Sequence, residues 1–430
     1  MVLNFVRRTR RHPILPGCAL LLSVVASLAV AAPPPPKPDF VEALIGARSD
    51  LLLEDDQFSG AGADVLAKGI AESRFVLIGE DHFTREIPRL ASAICDVMHP
   101  DAFAVEAGPQ AARFVTGVLR LPDRVPLMRA HMKEYAHNMA FLDALEENDT
   151  AAHCASTSRN KGFSLWGLDQ EFLGAAGSLL DAMAATSPGP KSRKAIAAAQ
   201  IMEKTADKEA RASGDPGKAM LIAATAAALQ PLVDAVDADG NVRTKALLDE
   251  LVASNTIYRL NSEGSPDSNR VRAELFKQHF LAEYAHTRKT IANPRVLFKF
   301  GDNHAGKGFS PLQVRDIGNF VAELADGEKA RSLHIMVLGV RGTHASFGGY
   351  ARPMGHEPFA MADYDEYKWL VPAVDAVLPA KEAGTSMTLF DLRKLRFRGI
   401  DFPPEWKRIV YSYDMFVLIP ELTPAGSLSE

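Results

Sequence analysis

Four short segments carry side chains able to move a proton or hold a cation. They are Gly79-Glu80-Asp81-His82-Phe83-Thr84-Arg85-Glu86, Val105-Glu106-Ala107-Gly108, Gly167-Leu168-Asp169-Gln170-Glu171 and Gly301-Asp302-Asn303-His304-Ala305-Gly306-Lys307. An imidazole titrates near neutral pH, so it can take a proton from water and return it to a leaving group. A carboxylate beside it fixes the tautomer and raises its basicity. His82, His304 and Glu106 therefore form a candidate acid–base set. The sequence has no Gly-x-Ser-x-Gly elbow, and neither Cys95 nor Cys154 falls in these segments. These residues thus favour attack by an activated water over a covalent acyl-enzyme. That chemistry requires no cofactor. The same side chains are also metal ligands by type: Glu80 and His82 share a face if the strand continues, and Glu106 and His304 could complete the set. A divalent metal stays open on that basis. So does haem, with His82 or His304 as axial ligand, although a Cys-x-x-Cys-His attachment site is absent.

Such residues need a frame that brings them together. Residues 74–79, 102–105, 163–166, 295–300, 332–340 and 415–419 are short apolar, β-branched or aromatic runs that read as buried strands. Helical stretches at 87–97 and 111–119 alternate with them. The pattern predicts an α/β fold with a mostly parallel central sheet flanked by helices. All four polar segments then lie just after a strand, at the carboxyl edge where open α/β sheets gather ligands. Residues 174–290 are Ala-rich, with breaks at Ser187-Pro188-Gly189-Pro190, at Ser213-Gly214-Asp215-Pro216 and across 261–267. They predict a large helical insertion of four or five helices between two strands. Residues 348–367, rich in Gly, Pro and Met, read as a long loop. No Gly-rich nucleotide fingerprint follows the first strand. His131, His137, His279 and His286 fall on helical stretches and read as surface or capping groups, while His344, just past the fifth strand, is an outlying candidate for the site.

Together, in this order, the motifs resemble the erythromycin esterase family. The first segment resembles its Gly-Glu-x-x-His-Gly-Thr-x-Glu, Glu106 its second-strand glutamate, Gly167-Leu168-Asp169 its Gly-x-Asp, and residues 303–307 its Asn-x-His-x-x-Lys. Leu389-Phe390-Asp391-Leu392-Arg393 and Tyr413-Asp414 are similar to its C-terminal strands. The resemblance spans about 75–420. It implies a hydrolase of the carboxylic-ester class acting on a small-molecule ester or lactone. His82 would be the general base, Glu106 and His304 would orient the water or assist at the carbonyl, and Glu80 and Glu86 would support them. Asp169, Asn303 and Lys307 would face the substrate. Lys307 could act as an electrophile or stay solvent-exposed, and Arg272 could meet a substrate anion or simply end a solvated helix. Glu80 and His82 stand one residue closer than in the esterases, a spacing that looks more like the Gly-Glu-x-His of ChaN-like haem-binding and TraB/TIKI-like proteins. The alternative function is accordingly a haem- or metal-binding envelope protein.

Address and charge narrow the setting. Arg7, Arg8, Arg10 and Arg11 precede an apolar run over 14–30 that closes in Ala29-Val30-Ala31. This order reads as a cleavable signal peptide over 1–31, followed by a Pro-rich tether over 32–38 and the α/β domain over 39–430. The expected location is secreted or periplasmic, with no stable membrane span after cleavage. A net charge of −5 and the absence of clustered basic stretches after the expected leader give no electrostatic case for nucleic acid. In an oxidising compartment Cys95 and Cys154 could pair; two buried free thiols are the alternative.

Overall fold

Every residue of Phe75–Glu80 is buried, because this strand has a parallel neighbour on each side and helices over the sheet. In the computed structural model, described for residues 39–54, 56–365, 367–378, 386–396 and 399–428, ten strands form one sheet. They are β1 (Arg48–Glu54), β2 (Gln57–Ser59), β3 (Phe75–Glu80), β4 (Ala102–Val105), β5 (Leu165–Gly167), β6 (Val296–Gly301), β7 (Ser332–Ser346), β8 (Gly355–Ala360), β9 (Ser386–Asp391) and β10 (Met415–Leu422). Their order is β2-β1-β9-β10-β7-β3-β6-β4-β5, with β8 paired to β7. The run β10-β7-β3-β6-β4-β5 is parallel throughout. Antiparallel β9, β1 and β2 extend one edge. The sheet is thus mostly parallel and flanked by helices, as the apolar runs predict. The leader and tether expected over 1–38 lie outside the described residues.

The topology makes a crevice. From β3 the chain moves past β6 to β4, whereas from β6 it crosses back over β3 to β7. Ligand sites of open α/β sheets form at such reversals, beyond the carboxyl ends of the strands. Close packing there requires Gly79. A Cβ at that position would come within 2.8 Å of the Tyr413 hydroxyl and 3.1 Å of Ala305 and of the Asp302 backbone. The short helix Asp302–Ala305 can therefore lie directly on β3.

Between β5 and β6 the insertion comprises six α-helices, from Ala176–Ala185 to Asp267–Thr287, rather than four or five. The extra boundaries are capped by Thr225 and Asn241, whose side chains accept from backbone N–H groups of the next helix. A separate apolar cluster, including Leu179, Met183, Ile196, Leu232 and Leu251, holds these helices together. The long loop expected over 348–367 is also corrected, since Gly355–Ala360 pairs antiparallel with the overhanging end of β7. Pro358 is tolerated because β8 is an edge strand, with no second neighbour needing its missing N–H. Among the described residues no helix is long and apolar enough to cross a membrane.

Cys95, on helix Glu86–Met98, and Cys154, on helix Leu145–Thr157, form a disulfide with Cα atoms 5.2 Å apart. The pairing decides against two free thiols. It closes a loop of sequence separation 59. Removing such a cross-link should cost about 4 kcal/mol through the entropy of the unfolded chain. Cys154→Ser is therefore expected to lower urea stability by about that amount. Reductant should destabilise the wild type similarly and leave the variant unchanged; a wild type indifferent to reductant would contradict the bridge.

Candidate active site

Glu80 ends β3, and the bend after it returns His82 so that its Nδ1 lies 2.8 Å from Glu80 Oε1. Glu80 is itself held by Lys299, a buried lysine on β6, which also pairs with Glu147 from helix Leu145–Thr157. On the other side His82 Nε2 lies 3.4 Å from Oε2 of Glu106, the residue after β4. Glu106 Oε2 also accepts from the Gly301 N–H at 2.7 Å, and its Oε1 accepts from Arg272 Nη2 at 2.8 Å. Arg272 also donates to both oxygens of Asp169, with Nε at 2.9 Å. Its Nη1 reaches within 3.3 Å of His304 Nε2. His304 Nδ1 meets Asp316 Oδ2 at 2.7 Å, and Asp316 also caps helix Ile317–Gly327. His304 Nε2 also stands 3.6 Å from Glu106 Oε1, so one continuous chain of alternating charge runs from Glu147 through Lys299, Glu80, His82, Glu106 and His304 to Asp316.

Local backbone serves this network. A Cβ on Gly301 would stand 3.0 Å from His82 Nε2, so a glycine there leaves room for the ring. Phe83 and Phe141 both take positive φ, at 67° and 58°, a region disfavoured for bulky residues. Phe141 thereby stacks on the His82 ring, with centroids 3.8 Å apart and planes 15° from parallel. The network's side chains are otherwise closed off; His82 and Arg272 keep 20% and 23% exposure, against 2–7% for Glu80, Glu106, Asp169 and His304.

Burial sets the proton affinities, and the partners then reverse its effect. Burial alone would lower His82, but Glu80 and Glu106 outweigh it and raise the imidazole to about 10. Burial would raise Glu80 and Glu106, yet the adjoining cations hold both below the ordinary carboxylate range. His304 is likewise raised, as Glu106 and Asp316 overcome its burial. Glu147 moves the other way: burial carries it up to about 7 despite Lys299. By linkage, a charged His82 stabilises the fold fully below its unfolded value of 6.5, and that contribution is lost as pH rises through about 10.

Six sequence candidates meet here: Glu80, His82, Glu106, Asp169, Arg272 and His304. Three do not join them. Glu86 accepts from the Thr423 N–H at 3.0 Å and from its hydroxyl, fastening its helix to the chain after β10. Lys307 pairs with Asp414 at 2.7 Å, at the amino edge of β10, because the short helix after β6 carries the chain back down the sheet. Asn303 is half-buried on that helix, and among the described residues no hydrogen bond joins it to the network. Arg272 is not a solvated helix end, since its guanidinium is held by Asp169 and Glu106. His137 lies in a turn at φ 49° against Phe347 and Tyr350 rather than on a helix. His344 faces Asp81 at 3.7 Å, beside the network rather than in it.

Lys299, Glu147, Asp316 and Phe141 escaped the sequence reading. Lys299 had a usable signal, as a lysine inside the apolar run Val-Leu-Phe-Lys-Phe-Gly must find buried carboxylates. The donor set, as arranged, does not fit a metal. Glu80 and Glu106 are already neutralised by Lys299 and Arg272, and among the described residues no three His, Cys, Asp or Glu side chains converge as ligands. Haem fits no better. Both His304 nitrogens are engaged, and the void beside His82 is only about 10 Å³. That volume is about what one water requires.

No protein-family model and no curated protein sequence matches the chain. Solved structures do share its fold. A mutant of erythromycin esterase EreC in its open conformation superposes with a TM-score of 0.58 at 14% identity, covering 89% of this chain and 99% of that one. A succinoglycan biosynthesis protein gives 0.56 at 14%, covering 90% and 97%. A Bacillus cereus protein gives 0.55 at 12%, covering 90% and 98%.

The charge order makes a direct prediction. Lys299→Met leaves Glu80 and Glu147 facing each other without their ammonium, which should cost about 3–5 kcal/mol at pH 8. Acidification to pH 5 should recover part of the loss, because a carboxyl that takes up a proton no longer repels its neighbour. Urea unfolding at the two pH values decides; an equal loss at both would show that the pair carries no such charge burden.

Proposed function

Starting from the erythromycin esterase-like fold, we propose that this chain is an exported hydrolase that opens a carboxylic ester or lactone with water activated at His82. One observation carries the reading. The His82 ring is clamped between two carboxylates beside a void the size of one water. Glu80 fixes Nδ1 at hydrogen-bond distance, whereas Nε2 stands 3.4 Å from Glu106, beyond the usual N–H···O range. Nε2 is therefore the nitrogen free to turn to water. The water oxygen bonds to the carbonyl carbon while its proton passes to Nε2. His82 then returns that proton to the departing alkoxide as the C–O bond breaks, giving carboxylic acid and alcohol. Arg272, partly exposed beside His304, is the cation placed to face the developing oxyanion. Export rests on the N-terminal order of arginines, apolar run and small residues, and a disulfide between Cys95 and Cys154 suits an oxidising compartment.

The same clamp sets the pH dependence. His82 must lose its proton before it can accept one from water, and its affinity lies near 10. The kcat/KM for aryl esters should therefore climb from pH 7 toward pH 10. Glu80→Gln removes one of the two charges that raise the ring, so the rising limb should move to lower pH. His82→Asn should lower kcat/KM by about 10²–10⁴-fold at a temperature where both proteins are folded, and should also lower the melting temperature at neutral pH by removing the stabilising charged ring. A wild type without turnover on a broad ester and lactone panel, or a His82→Asn variant as fast as wild type, would sink the proposal.

A further inference from the structure

A cavity of about 400 Å³ opens between helix Arg124–Glu134, the end of helix Pro190–Ser213 and the segment around Arg352. Its walls include Arg129, Lys133, Arg211 and Arg352, together with His137 and a single carboxylate, Asp143. Arg211 is matched by Asp207, to which its Nε donates at 2.6 Å. Arg129 and Arg352 donate to the carbonyls of Leu428 and Ala212, contacts that position the guanidinium without cancelling its charge. Lys133 is exposed on its helix. Among the described residues of these walls, Asp143 is the one carboxylate that faces these cations. Burial lifts its carboxyl to about 6, and its Oδ1 has no hydrogen-bond partner among the described residues. The chamber is thus built with a surplus of positive charge, in a chain whose net charge is −5.

A second, narrower pocket adjoins the chamber. This passage shares His137, Asp143 and Arg352 with the chamber and is walled by Phe83, Phe141, Phe172 and Phe347. That passage shares Ala140 and Phe141 with the void beside His82. Phe141 is the side chain stacked on the His82 ring, so the aromatic wall runs from the cations to the imidazole. Guanidinium and ammonium groups bind carboxylate, sulfate or phosphate, and aromatic walls favour an apolar or aryl body.

We infer that the chamber and passage bind an amphipathic anion: its carboxylate, sulfate or phosphate among Arg129, Lys133 and Arg352, its apolar body along the phenylalanines. On the hydrolase reading, from which this last step follows, the scissile ester of such a substrate lies at His82. Neutral esters would then be poor substrates, with the anionic group remote from the bond that breaks.

Calorimetric titration of the purified protein with phenylbutyrate and with phenylbutyramide, at low ionic strength, tests this without requiring turnover. The carboxylate should bind at least about tenfold more tightly than its amide, and added salt should erode the difference. Lys133→Glu and Arg352→Glu should each reduce that preference severalfold and leave amide binding unchanged. Because Arg352 also contacts the Ala212 carbonyl, the exposed Lys133 provides the variant least able to disturb folding. Equal affinity for the two probes, binding of neither, or a preference that survives both substitutions would overturn the inference. An anion preference without ester turnover would remove the hydrolytic reading alone. Turnover of neutral esters without an anion preference would remove this one alone.

Discussion

A lysine sits in the middle of the sheet, and much else follows from it. Lys299 occupies a central parallel strand with its side chain only 3% exposed, so its charge must be met by carboxylates from other elements. Glu80 at the end of β3 and Glu147 from the flanking helix meet it. A buried ion pair of this kind adds little stability over an apolar pair of the same shape. What it fixes here is position: Glu80 cannot turn away from Lys299, and His82 is held by the same carboxylate oxygen that Lys299 grips.

The same logic runs outward: Glu106 answers Arg272 and His304, Arg272 answers Asp169, and His304 answers Asp316. Covalent structure reinforces the inner end. Helix Leu145–Thr157 carries both Glu147 and Cys154, while helix Glu86–Met98 begins just after the His82 loop and carries Cys95. The disulfide therefore ties the element that supplies Glu147 to the element that follows His82. Thr150 adds to the seam, its hydroxyl donating to the Pro88 carbonyl at 2.8 Å. Loosening this seam would reach the imidazole through Lys299 and Glu80, without any direct contact with it.

Which parts were legible in the sequence follows from physics of different range. The central strands were, because burial on both faces demands unbroken apolar runs such as Phe-Val-Leu-Ile in β3 and Ala-Phe-Ala-Val in β4. β1, β2 and β8 were not, and β9 was reached only through the resemblance of residues 389–393 to C-terminal strands. β1 buries only Leu51 and Leu53, and β8 carries Gly, Pro and two charged or imidazole groups. For the site, the rule that ligand groups collect at carboxyl strand ends found Glu80, His82, Glu106, Asp169 and His304. It failed where chain neighbours part in space. Lys307 follows His304 by three residues, yet the intervening helix, admitted by Gly79, delivers it to the opposite edge of the sheet. Arg272 was singled out without its carboxylate partners, and Glu147 and Asp316 lie on or cap helices whose packing no local pattern announces; only the odd lysine of β6 hinted that buried carboxylates must exist.

On the proposed hydrolase reading, the network also decides what kind of base His82 can be. Two carboxylates orient the ring, and the same two charges bind its proton tightly, so orientation and proton affinity cannot be tuned apart. A base of high affinity drives proton abstraction from water strongly once it is free, but seldom is free at neutral pH. The two contacts are unequal: Glu80 is anchored by Lys299, whereas Glu106 stands off at 3.4 Å and is drawn the other way by Gly301 and Arg272. A group that engaged Arg272 would compete for it with Glu106, and a water entering beside Nε2 would separate the ring from that carboxylate. Occupancy of the crevice would then alter the proton affinity of His82 itself. The arrangement couples binding to the state of the base through one shared carboxylate, and that coupling follows from where the charges stand.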